Sequence, residues 1–200
     1  MTGTLLMSTA VLTVAACSNG GATGTFPGSS SASARSASTG ERAPAVPAPL
    51  DPGNLVDHPC ASLTAEQSDQ LGIGGQGTEQ NVGIGTIKTC DWKFGANLEW
   101  KIQVAYAIPD TKNGIQNVYD QDAAGTFDGG YFEPTSVDGY PGVFNGMADT
   151  RPQGRCDLSV GINDEMLLTV AVTGQADKDN CKATTNVAQR IISTIKTGER

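Results

Sequence analysis

The chain has 200 residues, with 13 Lys+Arg against 21 Asp+Glu and a formal charge of −8. That balance argues against nucleic acid as a partner and against electrostatic adhesion to anionic lipid. The length is enough for one domain with a proper core.

Residues 1–16 read as a signal peptide. The apolar run Leu5 to Ala16 has the length of a signal h-region and is too short to cross a hydrocarbon core of ~30 Å as a helix. The preceding Met1-Thr2-Gly3-Thr4 lacks the usual positive charge. Val14-Ala15-Ala16-Cys17 resembles the bacterial lipobox. The resemblance implies that Cys17 becomes the first mature residue and carries acyl chains, placing the protein on the extracytoplasmic face of the cell membrane. Two or three chains hold firmly, at ~0.8 kcal/mol per buried CH₂.

Residues 17–57 read as the lipidated cysteine and a disordered linker. Ser18 to Gly40 is almost wholly Ser, Gly, Ala and Thr, and Ala43 to Pro52 brings four of the ten prolines. Such composition buries too little apolar surface to offset its ordering entropy. Forty flexible residues span roughly 35 Å r.m.s., a tether that lifts a domain off the membrane.

Residues 58–200 read as a single globular domain. Thr64 as N-cap with Gln67 three residues later has capping-box spacing and predicts a short helix to about Leu71. Gly72-Ile73-Gly74-Gly75-Gln76-Gly77 follows a helix rather than a strand and lacks Gly-Lys-Ser/Thr, so neither nucleotide-binding fingerprint is met. Alternation predicts strands over Lys88 to Phe94 and Leu98 to Ile108, joined at Gly95-Ala96-Asn97. Helical spacing of Ile115, Val118 and Tyr119 predicts a helix from about Thr111 to Asp122. Tyr131 to Val137 and Tyr140 to Phe144 read as a hairpin about Asp138-Gly139. A second hairpin pairs Cys156, Leu158, Val160 and Ile162 with Met166, Leu168, Val170 and Val172. Leu167 falls on the other side of that strand. Asp179 to Lys196 makes the longest helix. The order α-β-β-α-β-β-β-β-α is an α+β pattern, an antiparallel sheet packed by helices.

Setting Cys17 aside, Cys60, Cys90, Cys156 and Cys181 form an even set in an exported chain, without a C-x-x-C pair. Two disulfides are the economical reading. Three pairings are possible, and Cys60–Cys90 with Cys156–Cys181 is favoured. Each closes a loop of roughly 25–30 residues, worth about 3–4 kcal/mol on the chain-entropy model.

Asp57-His58-Pro59-Cys60, Leu63-Thr64, Thr89-Cys90-Asp91-Trp92, Gly139-Tyr140 and Arg155-Cys156, followed by the apolar hairpin and the Cys181 helix, form a recognisable set. The set resembles a family of actinobacterial envelope lipoproteins with a domain of unknown function, covering residues 55–197. The element order is also similar to the Mog1/PsbP-like sandwich. The resemblance implies location and fold and supplies no catalytic residues.

His58 is the only histidine, so a Ser-His-Asp or Cys-His site would have to use it; beside Pro59 it reads as a surface or capping residue. Asp120/Asp122 and Asp177/Asp179 sit at helix ends, and the latter pair lacks an EF-hand loop. No catalytic residue, metal site or cofactor is expected. Tyr131, Phe132, Tyr140 and Phe144 form a possible contact patch for a protein, glycan or lipid if they face outward. The expected role is non-enzymatic binding of an envelope protein or molecule. The alternatives are a carrier of a lipid or small apolar ligand, which needs a cavity between sheet and helices, and a cell-wall hydrolase, which needs clustered carboxylates in a cleft.

Overall fold

The computed structural model describes residues 40–83 and 87–198. Seven strands form one antiparallel sheet: β1 (Thr78–Val82), β2 (Ile87–Phe94), β3 (Trp100–Ala107), β4 (Tyr131–Val137), β5 (Tyr140–Gly146), β6 (Arg155–Gly161) and β7 (Leu167–Thr173). Their spatial order is β1-β2-β3-β7-β6-β5-β4. Helix α1 (Ala65–Gln70) precedes β1, α2 (Gln116–Ala123) separates β3 from β4, and α3 (Asn180–Thr197) closes the chain. The α+β reading with an antiparallel sheet holds, and its order needs one correction: β1 is an additional strand. All five of its residues, Thr-Glu-Gln-Asn-Val, are exposed. A polar edge strand is made by backbone pairing alone and carries no apolar alternation to read.

Strand parity sorts the side chains onto two faces. Trp92, Ile102, Val104, Leu158, Val160, Leu168, Val170 and Val172 fill the first face, under Val187, Ala188, Ile191 and Ile192 of α3. Helix α1 starts at the capping box expected from its sequence: Thr64 Oγ1 accepts from Gln67 N at 3.2 Å, and Gln67 Oε1 accepts from Thr64 N at 3.0 Å. The same Gln67 Oε1 accepts from Thr194 Oγ1 at 2.9 Å, tying α1 to α3. Asp179 caps α3, and Gly198, at φ 68°, ends it in the left-handed conformation that glycine adopts without a Cβ penalty. The disulfides are Cys60–Cys90 and Cys156–Cys181. One joins a 3₁₀ turn (Pro59–Ser62) to β2 and the other joins β6 to the start of α3, so both fasten covering elements to the first face.

The assignment of residues 17–57 to a disordered linker fails for residues 40–57. Leu50 N donates to Ile162 O at 2.7 Å, Asn163 Nδ2 donates to Leu50 O at 3.0 Å, and Ala43 N donates to Gln116 Oε1 at 2.9 Å. Leu55 is fully buried, and Val46 and Leu50 pack on the same core. The folded chain therefore begins upstream of His58. Prolines with fixed φ lose little entropy on docking, so three spaced apolar side chains suffice where average composition suggests disorder. Residues 1–16, Cys17 and the linker to residue 39 lie outside the described residues.

Helix α2 starts later than its spacing suggests. Lys112 and Gly114 have φ of 48° and 52°, outside helical geometry, and hold the approach as turns.

Candidate functional site

The second face of the sheet is built from the opposite parity. Thr89, Ala105, Thr169 and Ser159 are successive register partners across β2, β3, β7 and β6. Beside them Asp91, Gln103, Ala171 and Asp157 make a parallel row. These side chains are small or polar and cannot draw a helix onto the sheet by apolar burial. A third row, Ala107, Leu167 and Gly161, does receive one. There Ile115, just before α2, and Val118 and Tyr119 of that helix join Phe127, Val143 and Leu167 in a second, smaller core. A Cβ on Gly161 would stand 2.8 Å from Ile115 Cβ, so glycine is what lets α2 approach.

Where α2 ends, the face stays open as a groove of about 630 Å³. Around it stand Gln121, Thr126 and Phe127 after α2 begins and Met147, Ala148 and Thr150 after β5, with Val82 and Ile87 from the end of the β1–β2 pair. The floor runs from Thr89 on β2 to Asn145 on β5, four strand spacings or roughly 19 Å.

Charged groups around the groove are paired. The buried Asp91 carboxylate accepts from Lys101 Nζ at 2.9 Å, Gln103 Nε2 at 3.0 Å and Gln80 Nε2 at 3.2 Å. Arg155 Nε donates to Asp157 at 2.9 Å. Arg151 bridges Asp149 and Glu133 and lies 4.1 Å from the centre of the Tyr131 ring. Its hydrogen bonds hold the Asp149 carboxyl below the usual carboxylate range, and Asp149 and Glu133 push the guanidinium up in turn.

Two uncharged groups are left without partners. Thr89 and Asn145 both line the groove, and within them Thr89 Oγ1 and Asn145 Oδ1 are buried and make no hydrogen bond. Thr89 as a whole is only 4% exposed. Each such atom costs about 1–3 kcal/mol unless something bonds to it. Hydroxyl and amide groups at the two ends of the floor, methyl groups between them and apolar side chains at the rim suit an elongated, uncharged or amphipathic molecule. Among the described residues no group of three His, Cys, Asp or Glu is placed to hold a metal ion.

The aromatic patch is not an outward surface. Tyr131 and Tyr140 are 5% and 2% exposed, and Phe132 and Phe144 are half-buried. Tyr140 donates through its hydroxyl to Ala48 O at 2.9 Å, and burial pushes that hydroxyl up, keeping it protonated. Tyr131 accepts from Asp157 N at 3.0 Å. Phe132 packs edge-on against Tyr119 with centroids 5.1 Å apart, and Phe144 packs on the first core. Leu167, the apolar residue on the apparent outer side of its strand, is buried under α2.

His58 is exposed, its Nδ1 3.6 Å from Glu79 Oε1, and no hydroxyl or thiol nucleophile bonds to it among the described contacts. Asp120 accepts from Asn113 and Gln116, Asp179 caps α3, and Asp177 pairs with Lys178. The four cysteines are all in disulfides. The groove residues Thr89, Asn145, Ser159 and Thr169 escaped the reading of the sequence. Their signal is present there: small and hydroxyl side chains recur out of phase with the apolar ones on strands that prove to be neighbours.

Among the described residues the molecule is an α+β protein whose antiparallel sheet is stapled to α3 and a 3₁₀ turn on one face and only partly covered, by α2, on the other. A family model described as "Protein of unknown function (DUF3558)" matches residues 12–194, and the chain belongs to this family. No curated protein matches it, and no solved structure does.

Proposed function

We propose that the protein is a lipid-anchored, extracytoplasmic binding domain that holds a small amphipathic molecule in the groove on the open face of its sheet. The observation that carries this reading is a groove of ligand size whose floor residues Thr89 and Asn145 each hold a buried oxygen with no hydrogen-bond partner. The anchor rests on the apolar run and the Val14 to Cys17 lipobox, and the family match begins at Leu12 and so takes in that stretch. Two disulfides suit an oxidising compartment outside the cytoplasm. In this reading the role is non-enzymatic, the folded part works as one Mog1/PsbP-like binding unit, and the family is one of actinobacterial envelope lipoproteins.

Native mass spectrometry of the intact protein, gently extracted from its own membrane, tests the groove. A mass excess beyond the Cys17 acyl groups, lost on collisional heating, is expected. Ser159→Leu places a bulky side chain on the groove floor and is expected to lose that excess while keeping the circular dichroism of the parent. A bare parent protein, or the same adduct on the Leu variant, refutes the reading. Cys17→Ala is expected to abolish acyl labelling and release the protein from membranes; unchanged labelling refutes the anchor.

A further inference from the structure

Five large apolar side chains are exposed among the described residues: Val82, Ile87, Leu98, Ile108 and Met147. Scattered singly, such residues need no explanation. Three of the five, Val82, Ile87 and Met147, line the one groove, and Val82 and Ile87 are direct register partners at the end of the β1–β2 pair. Met147, 73% exposed, lines the groove just beyond the end of β5. The groove thus has an apolar rim around a floor of small and polar groups.

The path of the chain supplies a second, independent observation. Gly40 lies against Ala123 at the C-terminal end of α2, close enough that a Cβ on it would stand 2.9 Å from the alanine methyl. From there the chain follows α2 back to its first turn, where Ala43 N donates to Gln116 Oε1 at 2.9 Å, and on to the β6–β7 connection at Leu50. The segment leading to Cys17 therefore joins the fold beside Gln121, Thr126 and Phe127, which line the groove. Residues 18–39 separate Cys17 from that junction. In the proposed anchoring the chain therefore meets the fold on the groove side of the sheet, whereas α3 packs on the other face.

We infer that the groove rim is a membrane-contacting surface: Val82, Ile87 and Met147 enter the interface of the bilayer that holds the anchor, and the groove opens directly onto its amphiphiles. This rests on the proposed anchor and groove. The contact is apolar rather than electrostatic. The chain carries a formal charge of −8, and Arg151 and Arg155 beside the rim are engaged by Asp149, Glu133 and Asp157. An uncharged, zwitterionic surface is therefore the matching partner, and anionic lipid adds no attraction.

The test uses the full, acylated chain reconstituted in phosphatidylcholine vesicles containing a spin-labelled phosphatidylcholine that quenches fluorescence. A fluorophore is attached at Met147→Cys and, in a second variant, at Asn186→Cys, an exposed position on α3. The unsubstituted chain serves as the blank, since its thiols are acylated or in disulfides. Quenching is expected to be several-fold stronger at position 147 than at position 186 and unchanged when a third of the lipid is replaced by phosphatidylglycerol. Equal quenching at the two positions, stronger quenching at 186, or quenching that requires the anionic lipid overturns the inference. Ser159→Leu separates the two readings. It blocks the groove and keeps the rim, so quenching at 147 persists in that background. A carried ligand without quenching at 147 leaves the groove standing and removes the membrane contact; quenching without a carried ligand does the reverse.

Discussion

The two faces of the sheet are made from the same strands and do opposite things. Along β7, Leu168, Val170 and Val172 point into the first core while Thr169 and Ala171 floor the groove. The first face is filled by branched aliphatic side chains from the central strands and by Ile191 and Ile192 of α3, both fully buried, and two disulfides fasten its cover. Among the described residues the second face has a helix only over the row holding Leu167, and neither disulfide crosses it. Burial stabilises in proportion to apolar area, so most of the stability belongs to the first face. The second is left free to expose hydrogen-bonding groups to a ligand. One residue of register separates the two duties.

The contrast can be broken by substitution. Ile191→Ala removes a fully buried side chain between α3 and the sheet and is expected to cost about 2–5 kcal/mol. Cys156→Ser opens the staple between β6 and α3, whose cysteines lie 25 residues apart, and is expected to cost about 3 kcal/mol. That corresponds to a melting temperature lowered by roughly 10 °C. Thermal unfolding checks both, and losses no greater than those from groove substitutions would erase the distinction between the faces.

Asp91→Ala sits between the extremes. It leaves Lys101, Gln80 and Gln103 without their shared acceptor, and since Lys101 is partly in water the expected loss is about 1 kcal/mol in the same assay. Thr89→Val keeps the shape and removes an unpartnered hydroxyl, so stability is expected to change by less than about 0.5 kcal/mol, toward the stable side. Retention of ligand is nevertheless expected to weaken, read as earlier loss of the adduct on collisional heating.

The smallest effect is on pH. Asp149 has a folded pKa below its ordinary value because Arg151 holds its ionised form. Its contribution is therefore present above the unfolded pKa of about 3.9 and is lost as pH falls through the lower folded value. Both groups are at the surface, so the consequence is local: below about pH 4, hydrogen exchange at the amides of Arg151 and Gly154 is expected to accelerate before the first core opens. Simultaneous exchange of the α3 amides would show that the groove wall and the core are one cooperative unit.

The capping box at Thr64, the two hairpins with their turns, the long C-terminal helix and the disulfide set were legible because each is local or strictly periodic. The polar edge strand β1 was not, since backbone pairing leaves no mark on side-chain pattern. Nor was the docking of residues 40–57, where Leu50 finds its backbone partners at Ile162 and Asn163, more than 100 residues on, and Leu55 is buried in a core built from the sheet and α3. The aromatic side chains were visible and their direction was not: Tyr131 and Tyr140 bond backbone groups that only tertiary folding brings near.

Period and spacing determined the type of each element, the face of each strand that is apolar and the chemistry of the amino-terminal stretch. These follow from neighbours along the chain. Tertiary structure alone decided the strand order, which places β7 between β3 and β6 and so aligns Ala105, Thr169 and Ser159 in one row. It also decided that α2 covers only one end of that face, because a single row offers it Leu167 and a glycine gap. A groove is a property of side chains that fail to meet, and that depends on contacts between distant segments which no local pattern encodes.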